Sequence, residues 1–232
     1  MKIEIWSDIM CPFCYIGKRR FEQALEKFEG KEKVEIEWKS YLLSPEMVTE
    51  PTKNLHEFLA EHKGISLEEA KDLNNHVAKM AADTGLEYNL DKAIPANSFN
   101  AHRMLHFAAE HGRQNEAKEA LFKAYFTDGK NIDDAATLTE IAGSVGLDTE
   151  LLGKAMGGEA YFQDVVMDIQ EARNIGVRGV PFFVFNRKYA VSGAQEAEAF
   201  LDILEKSYGE WQQANAPLDV VEGDSCGVDG VC

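Results

Sequence analysis

Cysteine is scarce in this sequence of 232 residues: four occur, in two pairs, Cys11 with Cys14 and Cys226 with Cys232. Four thiols are too few for a fold that disulfides hold together, so these residues require another explanation. The sequence also lacks any apolar run of the length that a membrane-spanning helix needs. A transmembrane role is therefore not predicted.

Basic residues are in the minority. The sequence has 40 acidic and 24 basic residues, which gives a formal net charge of -16 at pH 7. Such an acidic surface repels phosphate backbones and anionic membranes. We therefore expect neither a nucleic-acid partner nor a membrane partner.

The N-terminal segment lacks the apolar stretch that a secretory signal peptide carries. Instead, "MKIEIWSD" alternates charged and apolar residues and is typical of a strand. We therefore expect a cytoplasmic protein, in a compartment where thiols are kept reduced.

Apolar patterns describe the opening of the chain. Ile3 and Ile5 alternate with charged residues, which predicts a strand, and residues 15–28 have the apolar spacing of a helix. The segment "VEIEWKSYLL" alternates again and predicts a second strand. The result is a β-α-β unit with Cys11 and Cys14 at the turn between its first strand and its helix.

Helical patterns then extend from Thr52 to about Asn174. Strand patterns return with "VPFFVFN" and "RKYAVSGA", and the amphipathic helix "QEAEAFLDILEK" follows them. This order predicts an α/β protein, a thioredoxin fold with a large all-helical insertion between its βαβ and ββα halves. We assign residues 1–51 and 175–208 to the thioredoxin-fold domain, 52–174 to the helical insertion, and 209–232 to a polar tail that carries the second cysteine pair.

The spacing of Cys11 and Cys14 favours a redox-active dithiol. At the helix N-terminus, unpaired N–H groups and the helix dipole stabilise a thiolate, so we expect the pKa of Cys11 to fall below the free value of about 8.5. Cys14 lies one turn further along and can reach a mixed disulfide formed on Cys11. Pro12 suits the first helical turn, because its missing N–H donor is not needed there.

Other interpretations of the thiols are weaker. A zinc site needs a second matched pair of ligands, and the remaining cysteines lie at the far end of the chain with a wider spacing. A structural disulfide between Cys11 and Cys14 would close a loop too small to stabilise the fold much. A metal buffer or redox sensor built from all four thiols stays the non-enzymatic alternative. His102 and His106 have the spacing of a zinc pair but lack the glutamate of a zinc-protease helix, which favours packing or hydrogen bonding.

Four segments, in this order along the chain, resemble the DsbA-type thioredoxin superfamily: "SDIMCPFCYIG", "NSFNAHRM", "GVRGVPFFVFN" and "YAVSGAQ". The resemblance spans residues 3 to about 204 and is strongest to the cytosolic FrnE-like branch. It implies a thiol:disulfide oxidoreductase in which Cys11 is the nucleophile and Cys14 the resolving thiol. It also implies protein or low-molecular-weight thiols and disulfides as partners, no bound cofactor, and glutathione as a candidate reductant.

The same resemblance assigns residues that no local pattern would single out. It implies a cis peptide bond between Val180 and Pro181 that faces the dithiol, where an extended substrate can pair with the backbone. It further implies that Cys226 and Cys232 exchange with the first pair as a relay. Without the resemblance, Pro181 would be interpreted as the start of a strand and the tail thiols as passive.

Two residues near the dithiol qualify these expectations. Phe13 stands where periplasmic members of the superfamily typically carry a histidine, and it offers no cationic donor to a thiolate. Since the cytosolic glutathione poise of about −220 to −320 mV holds an average dithiol reduced, a reductase or isomerase is favoured over a secretory oxidase. Asp8 could raise the pKa of a thiolate or accept a proton, although a solvated or helix-capping aspartate is the simpler interpretation.

A glutathione-dependent transferase or isomerase is the rival enzyme class. The kappa-class and 2-hydroxychromene-2-carboxylate isomerase branches share the inserted architecture and helices similar to "NSFNAHR". They usually carry serine in place of the first cysteine, so the intact "CPFC" argues against them. The sequence is compatible with a monomer or a homodimer.

Overall fold

Two strand-containing parts of the chain flank a run of helices, as the apolar patterns predict. The computed structural model describes residues 1–216. Its elements are β1 (Lys2–Ser7), α1 (Pro12–Lys27), β2 (Glu35–Ser40), α2 (Leu55–Lys63), α3 (Leu67–Asp83), α4 (Phe99–Glu110), α5 (Gln114–Phe126), α6 (Ala135–Ser144), α7 (Thr149–Met156), α8 (Phe162–Asn174), β3 (Phe182–Phe185), β4 (Tyr189–Ser192) and α9 (Ala197–Ala214). Among these helices, none is both long and apolar enough to cross a membrane.

The strands form one mixed sheet in the order β2-β1-β3-β4. β1 is parallel to β2 and antiparallel to β3, which pairs with β4 in a hairpin. Ile3 and Ile5 of β1 lie in the core beneath α1 and α9, whereas Trp6 lies in a smaller core on the opposite face of the sheet. The prediction of a thioredoxin fold with helices inserted between its halves is confirmed.

Local capping chemistry explains where several inserted helices begin. Ser66 and Glu69 form the capping box that their spacing predicts, in which each side chain bonds the other residue's backbone N–H. Asp134 and Asp148 accept hydrogen bonds from the first turns of α6 and α7. These caps satisfy N–H groups that a helix start otherwise leaves without a partner.

The largest hydrophobic core joins the first turn of α1 to the inserted helices. Cys14 and Tyr15 belong to it together with Phe122 of α5 and Met104 of α4. The insertion therefore packs directly against the segment that carries the dithiol. The division into two domains stays an assignment from the sequence.

The predicted polar tail begins too early. α9 continues through residues 209–214, because Tyr208 and Trp211 stack with ring centres 5.7 Å apart and Phe28 meets Tyr208 edge-on. Gly209 disfavours the helix by about 1 kcal/mol, and these aromatic contacts offset that cost. The tail cysteines lie outside the described residues.

A close approach between α1 and the loop before β3 fixes the position of the dithiol helix. A Cβ atom added to Gly17 would lie 2.9 Å from Cγ of Pro181 and 3.5 Å from Cα of Ala194. No real Cβ atom tolerates the shorter of these contacts without movement of one of the two segments. Glycine is therefore required here by space, inside a helix where its propensity is poor.

We expect Gly17→Ala to lower the free energy of unfolding by about 1 to 3 kcal/mol, because the added methyl group forces α1 away from Pro181. Urea unfolding followed by circular dichroism measures the change. Gly153→Ala in α7 is the matched control, since its Cβ would meet nothing within 4 Å. That variant should gain up to about 1 kcal/mol from helix propensity. A similar gain for Gly17→Ala would show that the close approach does not restrict this position.

Candidate active site

The dithiol occupies the start of α1, as the sequence predicts. Cys11 is the N-cap residue and Cys14 lies within the first turn, where its N–H donates to the Cys11 carbonyl oxygen at 3.0 Å. Both cysteines are free thiols, and both are almost fully buried, Cys14 completely and Cys11 to all but 3% of its surface. The thiols are thus positioned by a helix terminus and enclosed by the core.

The cis peptide bond implied by the resemblance is present between Val180 and Pro181. The Cys11 thiol donates to the carbonyl oxygen of Val180 at 3.4 Å, so this backbone lies against the sulfur. The carbonyl of Pro181 accepts a hydrogen bond from the N–H of Gly193, which ties the loop to the β3–β4 hairpin. The structure therefore brings Cys11, Val180 and Pro181 together, while their catalytic roles stay predictions.

The two residues between the cysteines differ in their surroundings. Phe13 is 39% exposed and lies at the surface beside the buried thiols. The carbonyl oxygen of Pro12 accepts a 2.7 Å hydrogen bond from the hydroxyl group of Tyr88, in the segment between α3 and α4. Tyr88 also stacks on Phe126, with ring centres 4.6 Å apart. Sequence patterns gave no signal for Tyr88, because its contacts join segments far apart in the chain.

Asp8 is fully buried, so the interpretation of a solvated or helix-capping aspartate is wrong. Its carboxylate accepts hydrogen bonds from Ser98 Oγ at 2.7 Å, Leu43 N at 2.8 Å and Met10 N at 3.2 Å, and His102 Nε2 lies 3.6 Å away. Burial alone would raise the pKa of Asp8, but the contacts from His102, Leu43 and Ser98 hold that pKa below its usual range. Asp8 is therefore a buried carboxylate close to the dithiol.

The expected fall in the pKa of Cys11 is also wrong for this dithiol. The hydrogen bond with the Cys14 thiol, burial and the negative charge of Asp8 together raise the pKa of Cys11 well above its ordinary value. The N–H of Cys14 lowers the pKa, which is the contribution of the helix N-terminus that the sequence predicts. This local effect on the pKa of Cys11 is smaller than the combined effect of the Cys14 thiol, burial and the charge of Asp8, which raise that pKa.

Two basic side chains of the insertion are buried near Asp8. His102 of α4 and Lys118 of α5 are both fully enclosed, and burial lowers the pKa of His102 and lowers that of Lys118 to about 8. Within residues 1–216, neither side chain makes a hydrogen bond. The sequence analysis missed Lys118. Its spacing from Leu121, Phe122 and Tyr125 matches the buried face of a helix and was the available signal.

His106 takes a different environment from His102 despite the spacing of a metal pair. Its Nε2 atom lies 3.1 Å from Ser40 Oγ and 3.1 Å from Asp168 Oδ2, which joins α4 to β2 and α8. The predicted hydrogen-bonding role is confirmed for His106. In the described part of the chain, no three metal-ligating side chains lie close enough to share an ion. A site of four cysteines would include Cys226 and Cys232 and stays a hypothesis.

Comparison with known proteins identifies close relatives. The family model of the DSBA-like thioredoxin domain matches residues 2–205. The uncharacterized protein YwbO of Bacillus subtilis is 30% identical over 220 residues, which cover 91% of this chain and 97% of that protein. A crystal structure described as a probable DsbA oxidoreductase, SCO1869 of Streptomyces coelicolor, is 37% identical with a TM-score of 0.86, and the match covers 99% of this chain and 97% of the other.

More distant structures share the fold. The cytosolic disulfide reductase DsbM of Pseudomonas aeruginosa is 16% identical with a TM-score of 0.63, and the match covers 90% of this chain and 100% of the other. A 2-hydroxychromene-2-carboxylate isomerase is 15% identical with a TM-score of 0.64, over 93% of this chain and 98% of that protein. At these identities, the similarity describes the fold and not the reaction.

We expect the free energy of unfolding to fall as the pH drops below about 6.5, because an unfolded His102 takes up a proton there while the buried one does not. Because the pKa of His102 is lower in the folded protein than in the unfolded chain, its contribution to the free energy of unfolding is complete above the unfolded pKa. That contribution is lost as the pH falls below the unfolded pKa, by up to about 1.4 kcal/mol per pH unit. Urea unfolding between about pH 5 and 7 measures the slope, in a range where ordinary carboxylates do not titrate.

His102→Gln should flatten this pH dependence, since glutamine does not titrate. His62→Gln is the control, because His62 is exposed and should leave the slope unchanged. An unaltered slope in His102→Gln would mean that another group causes the acid sensitivity.

Proposed function

The chain belongs to the DSBA-like thioredoxin domain family, and from this premise we propose that it is a thiol:disulfide oxidoreductase that acts through Cys11 and Cys14. One observation carries the proposal: the Cys11 thiol lies at a helix N-terminus, 3.4 Å from the carbonyl oxygen of Val180 and beside the cis-proline. This geometry combines a nucleophile, a neighbouring thiol and a backbone edge for a substrate.

The reaction follows the ordinary course of thiol–disulfide exchange. The thiolate of Cys11 attacks one sulfur of a substrate disulfide, and the other substrate sulfur leaves as a thiolate that takes a proton from water. Cys14 then loses its proton and attacks the Cys11 sulfur, which releases the second substrate thiol. The enzyme ends as a Cys11–Cys14 disulfide, the substrate gains two electrons and two protons, and an external dithiol or glutathione restores the enzyme.

The surroundings of the dithiol favour an extended peptide as substrate. The backbone at Val180 lies against the Cys11 sulfur, where a substrate strand can pair with it, and the exposed ring of Phe13 offers an apolar contact beside it. Protein disulfides are the substrates that we propose, together with low-molecular-weight thiols and disulfides. We propose that no bound cofactor is required.

We further propose that the reaction takes place in the cytoplasm and runs toward reduction or isomerisation, as expected for a FrnE-like protein. Phe13 supports this direction, because it gives a thiolate no positive partner and so does not favour a strongly oxidising pair. The fold shared with a cytosolic disulfide reductase is compatible with this location.

We also propose that Cys226 and Cys232 relay electrons to the first pair. α9 has 18 residues, and it leads away from Ala194, which lies against α1 near the dithiol. A helix of this length spans about 27 Å. From the last described residue, ten residues lead to Cys226, and an extended chain of ten covers about 33 to 36 Å. The tail is thus long enough for Cys226 to return to Cys11.

We expect Cys11→Ala to abolish the catalysed reduction of insulin by dithiothreitol. Cys14, the other thiol of the pair, is completely buried and cannot replace Cys11 as the nucleophile. Cys14→Ala should still attack and should accumulate a mixed disulfide, which mass spectrometry detects. Retention of turnover by Cys11→Ala would refute the proposal. Purified protein from each variant is compared by circular dichroism, so that loss of folding is not mistaken for loss of chemistry.

The same series tests the glutathione-dependent rival. A transferase or isomerase that uses serine at this position would retain glutathione binding and turnover in Cys11→Ser. An oxidoreductase would lose insulin reduction in that variant, since a serine hydroxyl cannot form the mixed disulfide.

For the relay, we expect the double variant Cys226→Ser/Cys232→Ser to lower the turnover of insulin several-fold without abolishing it. The reason is that reductant would then have to reach the buried first pair directly. Steady-state rates with dithiothreitol, with metal content measured on the same samples, provide the test. Unchanged rates would refute the relay. Bound metal that depends on all four cysteines would favour the metal-buffer alternative.

A further inference from the structure

Lys118 is a buried cation with no ordinary partner. Its side chain is fully enclosed, and within the described residues its Nζ atom has no hydrogen-bond acceptor. The nearest compensation comes from aromatic rings, with Nζ 4.9 Å from the centre of the Phe122 ring and 5.4 Å from that of Trp38. Ring faces attract a cation but do not replace the hydration that it loses.

An enclosed lysine of this kind opposes folding. Transfer of an ammonium group out of water is unfavourable, and apolar side chains of similar volume are commonly more stable at such positions. Methionine has nearly the same shape and would fill the space between Phe122 and Trp38 without a charge. The presence of lysine therefore needs an explanation other than stability.

The position of Lys118 connects it to the dithiol. The ring of Phe122, which Lys118 contacts, also stacks on Tyr15 with ring centres 4.8 Å apart, and Tyr15 follows Cys14 in α1. Burial lowers the pKa of Lys118 to about 8, and the negative charges of Cys14, Asp8 and Cys11 act in the opposite direction. With this pKa the lysine is cationic at pH 7, and Phe122, which it contacts, belongs to the same core as Cys11 and Cys14.

We propose that Lys118 is a positioning residue for the dithiol: its buried positive charge stabilises the thiolate of Cys11 that attacks the substrate. This inference rests on the proposed function and assigns to it a residue of the inserted helices. It answers a difficulty at the site, because burial and Asp8 both disfavour a negative charge on Cys11. A positive charge in the same enclosed region opposes both effects at low dielectric, where charges interact strongly.

The charge acts on the step that creates the nucleophile. Cys11 releases its proton to water, and the thiolate forms a bond to one substrate sulfur while the bond between the two substrate sulfurs breaks. Lys118 takes no part in bond formation and keeps its proton. The titratable groups that act on it are Asp8 before α1, Cys11, Cys14 and Lys18 of α1, and His102 of α4.

The test measures the reactivity of Cys11 as a function of pH in the full chain. Reduced protein is alkylated with iodoacetamide, and mass spectrometry of the peptide that contains Cys11 separates this thiol from the tail cysteines. Lys118→Met removes the charge and keeps the volume, and Lys118→Gln is a second neutral variant. Lys123→Met is the matched control, because Lys123 is exposed on the same helix. Urea unfolding is measured for each protein.

We expect Lys118→Met and Lys118→Gln to lower the alkylation rate of Cys11 at pH 7, where Lys118 is charged, by the equivalent of about one pKa unit of Cys11, and we expect the difference from the wild type to disappear above about pH 8, where Lys118 loses its proton. The thiolate fraction at pH 7 then falls about tenfold, and because a more basic thiolate is more nucleophilic, the alkylation rate falls about threefold. Lys118→Met should be at least as stable as the wild type, since a buried charge has been removed. Lys123→Met should change neither the alkylation rate at pH 7 nor the stability.

An unchanged alkylation rate at pH 7 in either folded variant would overturn the proposal. Loss of folding in both neutral variants would also overturn it, because Lys118 would then be needed for packing. Alkylation does not require turnover, so this result is independent of the insulin assay. A wild-type protein that fails to reduce insulin refutes the proposed function, whereas an unaltered Cys11 profile refutes only the role of Lys118.

Discussion

The carboxylate of Asp8 is removed from water at the end of β1, and this constraint determines how the parts of the chain meet. A buried carboxylate must receive hydrogen bonds, and its donors come from Met10 in the turn before α1, Leu43 after β2, and Ser98 at the start of α4. Each donor left without its acceptor would cost about 1 to 3 kcal/mol. The turn that carries Cys11 is therefore tied to the sheet on one side and to the insertion on the other.

Features that depend on neighbours in the chain could be predicted from the sequence. The capping residues Ser66, Asp134 and Asp148 act through atoms three or fewer positions away, and the alternation around Ile3 and Ile5 reflects the sheet beneath them. The helix start at Cys11 followed from the same kind of pattern. In each case, the physical cause lies within one turn or one strand, so the sequence contains it.

Features that depend on distant segments could not be predicted in this way. The burial of Asp8 follows from the segment after β2 and from the start of α4, which lie 35 and 90 positions away, respectively. The cis peptide bond at Pro181 entered only through the resemblance to known proteins, since most such bonds are trans. Lys118 was not singled out from the sequence, although its spacing from Leu121 and Phe122 matches the buried face of α5. Length and composition gave no indication of any of these contacts.

The wrong expectation for Cys11 shows how the two kinds of effect compete. The helix N-terminus stabilises a thiolate by a local contribution, of the order of 1 kcal/mol at a surface site. Burial and a neighbouring carboxylate act in the opposite direction and are larger in an enclosed site. A nucleophilic thiol in such a position needs positive charge from outside its own helix. The inserted helices can supply it, because α5 packs against the first turn of α1 in the same core and carries Lys118. The insertion therefore helps to enclose the two cysteines, and its buried side chains contribute to the electrostatic environment of their thiols.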